Sequence, residues 1–329
     1  MGDESVNIVE ASDLSKRYSP KRPLAVDSLS LHLKAGEIFG FVGPNGAGKT
    51  TTIKMLMGMV LPDSGGGSIL GMDILKDSVN IRKRVGFMSG EVKLYNHMKG
   101  LEVLAMTQRL HGGGNEKLLK KLIEQFDVPL NRKIKTFSAG QKQQLALIAA
   151  LSHDSDLLVL DEPTKGLDPS KKKDFLDIIE KRGQQGAGVI ISSHVLSEIE
   201  SICTRVGFIR EGILLGHNEI EHVREKLSDL IVVSFEREID IASLKKIPEV
   251  EKIVEKGHEY IIHLKGEGGA VIKQLADLPL KSLRYRQASL DDLYENLYLN
   301  NESHESETDE NDDRDPYSGL YAGSGRDRQ

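Results

Sequence analysis

The sequence predicts an α/β protein built on a sheet with parallel strands, followed by a small α+β domain. Three observations carry that prediction. Short apolar, β-rich runs, "EIFGFVG" (37–43), "DLLVLDEP" (156–163) and "GVIISSH" (188–194), are each followed by a helix candidate, the alternation that places parallel strands in one sheet with functional groups at their ends. A glycine-rich turn, "GPNGAGKTTT" (43–52), follows the first run directly. From about Glu221 the pattern changes to "DLIVVSFE" and "EYIIHLKG", two strand candidates, and "SLDDLYENLYL", a closing helix with Ser289 as its cap.

Taken in order, "AVDSLSLHLKAGE" (25–37) has partial period-2 character and predicts an antiparallel β portion ahead of the parallel strands. "VLAMTQRLHGGGNEKLLKKLIEQFDV" (103–128) is helical by its spacing, broken at Gly112 to Gly114, and reads as an inserted helical subdomain over about 91–140. The domain organisation expected is therefore 1–220, an accessory domain over 221–300, and a tail over 301–329. The tail is polar, charged and almost free of aliphatics, a composition that does not offset the entropy of ordering. Its nine acidic residues against three arginines account for the whole net charge of -6, so residues 1–300 are balanced. A balanced body argues against nucleic acid as a partner.

No apolar run approaches the ~18 to 20 residues that cross a bilayer. The start, "MGDESVN", is acidic and polar, unlike a signal peptide, and Val6 stands where myristoylation wants Ser or Thr. Cys203 is the only cysteine; a reducing, cytoplasmic setting is expected, with Cys203 buried on an apolar face with Leu196 and Ile199.

The turn at 43–52 has the spacing G-x-x-x-x-G-K-T between a strand and a helix, the pattern of a phosphate cradle. Backbone N–H groups of Gly43, Pro44 to Ala47, Gly48 and the following residues (proline itself having none) converge on an anion, Lys49 reaches the β- and γ-phosphates, and the Thr50 hydroxyl ligates Mg2+. Asp161 and Glu162 end the buried run "LLVLDE". Two adjacent carboxylates there are costly unless a cation or a proton-transfer task requires them. Asp161 suits a hold on Mg2+, and Glu162 the place of an attacking water. "FSAGQ" (137–141) offers a second anion site at a helix start, with Ser138 as N-cap and Ala139 and Gly140 presenting backbone N–H groups.

This ordered set, cradle, helix start, Asp-Glu strand, "GLDP" and "SSH", resembles the ATP-binding subunit of ABC transporters over roughly the first 220 residues. The resemblance implies a P-loop NTPase of ABC ATPase type: a mixed sheet core, an antiparallel β portion and a helical subdomain, here with a small α+β C-terminal domain. Residues 43 to 51, including Asn45, Gly46 and Thr51, match the family's Walker A. Residues 137 to 141 match its signature loop, with Ser138, Gly140 and Gln141; 157 to 162 its Walker B; 166 to 168 its D-loop, ending at Asp168; and His194 its switch histidine. It implies ATP hydrolysis with Mg2+, with Glu162, Lys49 and His194 as catalytic residues. It also implies a homodimer or paralogous heterodimer, packed head to tail, in which Ser138 and Gly140 of one chain close ATP held by Lys49 of the other. Tyr18, 25 residues before Gly43, stands where the family stacks an aromatic on adenine.

Two departures stand out. Ala139 adds a methyl where the family has L-S-G-G-Q. In "VGFMSGEVKLYNHMKG" (85–100) the glutamine that the family uses to contact Mg2+ and water is replaced by Gly90; Glu91 is expected to substitute as a metal ligand. The same stretch and the C-terminal domain resemble subunits serving ABC-2 type exporters, implying a separate integral membrane permease, with Leu94, Tyr95 and Met98 as candidate contacts or core residues. Two other readings stand beside this one: a soluble ABC ATPase acting on ribosome or DNA, and a regulatory nucleotide-binding module with feeble hydrolysis.

Overall fold

The computed structural model describes residues 6–220, and beyond them 222–223, 229–237, 239, 241, 244–266, 268–287 and 289–292. The chain divides into two compact units between Ile220 and Glu221.

The first unit contains two sheets. Strands β1 (Asn7–Lys16), β2 (Val26–Lys34), β4 (Ser64–Ile69) and β5 (Met72–Asp73) form an antiparallel sheet in the order β2-β1-β4-β5. In β2 the side chains of Leu29, Leu31 and Leu33 are buried while their neighbours are exposed, the alternation of a sheet with one face on the core. The second sheet has six strands: β3 (Ile38–Val42), β6 (Val85–Met88), β7 (Leu157–Asp161), β8 (Gly188–Ser193), β9 (Arg205–Arg210) and β10 (Ile213–Glu219), in the order β10-β9-β3-β8-β7-β6. All its pairings are parallel except β9 with β10. Every residue of β3, β7 and β8 is buried, as expected for strands covered on both faces. Helix α1 (Lys49–Leu56) runs into the space between the sheets. Its Ile53, Met55 and Leu56 join Leu14, Leu29, Phe39, Phe41 and Val159 in one core.

The strand order is what builds the site. β3, which leads into the glycine turn, and β7, which ends at Asp161, lie on either side of β8. Because the three are parallel, their C-terminal ends share one edge, where ligands bind in open α/β sheets. The register aligns Phe41 and Asp161 with Ser192 on opposite sides.

Helix α2 (Ser78–Arg84) precedes β6, and α3 (Gly100–Leu110), α4 (Glu116–Phe126) and α5 (Ala139–Leu151) follow it. The break at Gly112 to Gly114 separates α3 from α4, whose N-cap is Asn115. Helices α6 (Pro169–Gln184) and α7 (Leu196–Ile202) complete the unit. Cys203, just after α7, is buried beside Ile199, and burial pushes its thiol pKa well up.

The second unit is an antiparallel sheet, β12-β13-β11-β14, made of β11 (Asp229–Phe235), β12 (Val250–Lys256), β13 (Glu259–Leu264) and β14 (Leu280–Gln287). Helix α8 (Gly269–Ala276) carries the chain from β13 to β14 over β11 and buries Val271 and Leu275 against Ile231, Val233 and Ile262. Residues 290–292 are helical, and both the N–H and the hydroxyl of Ser289 donate to Asp292, at 2.8 and 3.0 Å. The remainder of the expected closing helix and the tail over 301–329 lie outside the described residues.

Candidate functional site

The glycine turn enters α1 through Gly48, whose φ of +115° is open to glycine at little cost. A Cβ there would stand 2.6 Å from the Ala25 carbonyl oxygen. The helix has no side-chain cap, so its first-turn N–H groups have neither an intrahelical nor a capping partner, and the helix dipole favours an anion at that point. Lys49 folds back over the turn: its Nζ donates to the carbonyls of Gly43 and Pro44 at 2.5 and 3.0 Å. Burial lowers its pKa, opposed by the nearby carboxylates of Glu162 and Asp161. The cation is therefore held on carbonyls at the mouth of a turn built to accept a group of opposite charge. Asn45 and Gly46, at the turn's tip, are exposed.

Asp161 is 1% exposed, and both its oxygens accept hydrogen bonds. Oδ2 accepts from the Thr50 hydroxyl at 2.7 Å and from the Gly90 N–H at 3.3 Å; Oδ1 accepts from the Ser192 hydroxyl at 2.6 Å. Thr50 and Asp161 offer a hydroxyl and a carboxylate, hard oxygen donors of the kind that hold Mg2+ together with substrate phosphates and water. No cluster of three or more His, Cys, Asp or Glu able to hold a metal occurs among the described residues.

Glu162 has φ of +50°, a conformation that non-glycine residues seldom adopt and that the surroundings must enforce. Ser192 enforces it from β8: its carbonyl and hydroxyl accept from the Glu162 N–H at 3.2 and 3.0 Å. From α5, the Gln143 side-chain amide donates to the carbonyls of Glu162 and Pro163 at 3.1 and 3.0 Å. The carboxylate then meets His194, Nδ1 to Oε2, at 2.6 Å. Its other oxygen, Oε1, is buried with no protein partner, an acceptor suited to a water held at the site. A carboxylate with one oxygen engaged and one free, beside an imidazole, can take a proton from such a water.

Thus the structure joins Lys49, Thr50, Asp161, Glu162 and His194 around one turn. Tyr18 lies beside it: its hydroxyl is 3.5 Å from Thr51 Oγ1 and its ring is exposed. Ser138 caps α5 by accepting from the Gln141 N–H at 3.2 Å, while the Gln141 side chain accepts from the Ser138 N–H at 3.0 Å. Both Ser138 and Ala139 face solvent. Asp168 caps α6, accepting from the Lys171 N–H at 3.0 Å.

The structure does not bring Glu91 to the metal position. Its exposed carboxylate pairs with Lys93 at 3.1 Å, and that hydrogen bond lowers its pKa. What reaches Asp161 from this segment is the main chain of Gly90, whose added Cβ would stand 2.9 Å from Asp161 Oδ2. Where a glutamine would offer a side-chain oxygen to a cation, Gly90 instead offers an N–H to the carboxylate. Ser192 and Gln143 were not singled out from the sequence. Ser192 lies in the quoted "SSH" run, but only strand register shows that it faces Asp161; nothing local marks Gln143.

A glycine turn at a buried strand's end, an uncapped helix after it and a carboxylate-bearing neighbouring strand define a P-loop nucleoside triphosphatase fold. The chain belongs to the ABC transporter family of ATP-binding proteins, as two relatives covered over most of their length show, and the ABC transporter family model matches residues 26–165. It is 36% identical over 222 residues to the bacitracin transport ATP-binding protein BcrA of Bacillus licheniformis, covering 67% of this chain and 72% of that one. With the ABC transporter ATP-binding protein YcbN of Bacillus subtilis it shares 33% identity over 311 residues, 89% of this chain and 98% of the relative. A solved ATP-binding subunit of an ABC transporter matches with a TM-score of 0.62 at 26% identity, over 67% of this chain and 92% of that structure. A second solved ATP-binding cassette, at 20% identity and a TM-score of 0.59, shares the fold over 64% of this chain and 98% of its own.

Proposed function

We propose that this ATP-binding subunit hydrolyses ATP with Mg2+ and, as a head-to-tail homodimer or paralogous heterodimer, energises a separate integral membrane permease, one that exports its cargo. The observation that carries the hydrolytic reading is the Glu162–His194 pair at 2.6 Å, set beside a phosphate turn and with the second Glu162 oxygen unpartnered. In this reading Lys49 and the unpaired N–H groups of the glycine turn and the first turn of α1 hold the phosphates, and Tyr18 stacks on the base. Thr50 and Asp161 would hold Mg2+, which would neutralise phosphate charge when bound. Glu162 accepts the proton of the attacking water through Oε1. His194 fixes the Glu162 carboxylate and presents its exposed ring toward the γ-phosphate.

The dimer reading is supported by the solvent-facing start of α5. Ser138 and Ala139 are exposed at the start of α5 with Gly140 and Gln141 half-buried after them, and Asp168 stands exposed at the start of α6. A permease is supported by a groove of about 470 Å³ whose apolar lining includes Phe87, Met88, Leu94, Val103 and Met106, with charged Lys54, Glu91 and Lys93 also lining it and Tyr95 exposed. Apolar grooves of this kind accept an amphipathic helix. No helix among the described residues is long and apolar enough to cross a membrane, so attachment at the cytoplasmic face falls to the permease. The exporter assignment draws on relatives whose names refer to bacitracin transport and linearmycin resistance.

The test is Glu162→Gln in purified protein. Turnover is expected to fall by roughly 10²- to 10⁴-fold, with ATP binding retained and ATP-bound dimers accumulating on size-exclusion chromatography. Undiminished hydrolysis would overturn the catalytic assignment. Equal monomer content with and without ATP would overturn the dimer.

A further inference from the structure

Behind the Glu162–His194 pair lies a second buried carboxylate that the mechanism above leaves unused. Glu198, on the first turn of α7, is 7% exposed. Its Oε2 accepts from the Thr164 hydroxyl at 2.6 Å and from the Ser193 hydroxyl at 3.4 Å, and its Oε1 pairs with Lys172 of α6 at 3.0 Å. Thr164 and Ser193 are themselves almost wholly buried. Burying a carboxylate is costly, and it persists only where partners satisfy it. A capping role does not account for it, since all three partners come from other elements.

The identity of those partners gives the arrangement its meaning. Thr164 lies two residues after Glu162, in the loop that runs on to Asp168 and α6. Ser193 immediately precedes His194, and its hydroxyl also accepts from the Val195 N–H at 2.9 Å, fixing the turn that carries the imidazole. One oxygen of Glu198 thus holds the loop behind the carboxylate and the turn behind the histidine at the same point. Lys172 neutralises the other oxygen and ties both to α6.

We infer that Glu198 is a positioning residue for hydrolysis: it sets the relative placement of Glu162 and His194 and links both to the Gly166–Asp168 loop and the start of α6. The inference rests on the hydrolytic reading above. Glu198 touches neither reacting group; it acts through Thr164 and Ser193. Removing its hold frees two segments to shift against each other, and displacements of about 1 Å at catalytic groups cost on the order of 100-fold in rate.

The experiment compares Thr164→Val, Thr164→Ser and Glu198→Ala in the full chain, with Glu162→Gln as reference. Steady-state ATP hydrolysis, binding of a non-hydrolysable ATP analogue with Mg2+, and thermal unfolding are all measured. Thr164→Val keeps the shape of the side chain and deletes only the hydroxyl, so it separates positioning from packing even where Glu198→Ala folds poorly. The expected result is a kcat about 10- to 100-fold lower for Thr164→Val, analogue affinity and KM within about twofold of wild type, and recovery of kcat in Thr164→Ser. The double variant Thr164→Val with Glu198→Ala is expected to lose no more kcat than the worse single variant, because the Thr164 hydroxyl acts only through Glu198, which Glu198→Ala already removes.

Wild-type kcat in Thr164→Val would overturn the inference, as would a lower melting temperature with unchanged kcat in both single variants. Additive losses in the double variant would also overturn it. If Glu162→Gln hydrolyses ATP like wild type, the hydrolytic reading fails instead, and the two failures are told apart by that reference.

Discussion

Gly90 stands where the family resemblance implies a glutamine, and the structure gives that departure a measurable cost. In Gly90→Ala the new Cβ would stand 2.9 Å from Asp161 Oδ2 and 3.1 Å from its Cγ, closer than a carbon and a carboxylate oxygen tolerate. A free aspartate would swing aside. This one is tied by hydroxyls on both oxygens, Thr50 at 2.7 Å and Ser192 at 2.6 Å, so relief means breaking one of those bonds or displacing the Gly90 backbone and its own bond to Oδ2. Overpacking of this kind costs about 1–3 kcal/mol, offset by about 0.4–1 kcal/mol from the stiffer unfolded chain. The net expectation is a loss of roughly 0–2.6 kcal/mol, about 1.3 kcal/mol at the middle of both ranges. For a unit of this size the middle value is a drop of roughly 3–5 °C in Tm. Because Asp161 moves with it, Mg2+-dependent turnover falls as well. Differential scanning fluorimetry, with ATPase activity titrated against Mg2+, checks both. Wild-type Tm and Mg2+ dependence would refute the claim that the main chain at this position is packed against the carboxylate.

Other outcomes follow from the same geometry. Ser192→Ala removes a donor to Asp161 and an acceptor for the strained Glu162 N–H; a loss of about 1–3 kcal/mol in a denaturant titration and slower turnover are expected. Glu91→Ala should leave turnover and Mg2+ dependence at wild-type values in an ATPase assay, since the carboxylate it deletes is exposed and paired with Lys93. His153 is buried against the His111 ring at 3.7 Å, and burial, His111 and Arg182 together lower its pKa to about 4, against the opposing pull of Asp154. The unfolded chain takes up this proton first. The stabilisation is therefore complete above pH 6.5 and is lost as pH falls from there through 4, by roughly 3 kcal/mol in all. His153→Phe should flatten stability over that interval in pH-dependent thermal melts.

How far the sequence carried depends on whether a feature is local. The phosphate turn was legible because its groups are contiguous: strand, glycine turn and helix occur within Ile38 to Leu56, and spacing alone encodes their geometry. Asp161 and Glu162 were legible as carboxylates at the end of an apolar run, and the helical pair α3–α4 by its periodicity and glycine break. The antiparallel strand β2 followed from alternation in the same way.

Only the tertiary structure decided which groups meet. The order β3-β8-β7 brings together strand ends separated by more than a hundred residues, and register then selects Ser192 to face Asp161. A one-residue slip would turn that hydroxyl to the other face of the sheet. Gln143 reaches the loop at Glu162 from a helix, and Glu198 the segments behind it, each through a single side chain with no local pattern to reveal it. Glu91 shows the converse: proximity in sequence suggests a ligand, but its carboxylate pairs with Lys93 two residues on, and the neighbouring glycine brings backbone to Asp161 instead. The sequence by itself determined what chemistry each segment can offer, because that resides in side-chain type and short-range spacing. The fold decided which offers are taken up, because hydrogen bonds reward only those groups that packing holds within about 3 Å.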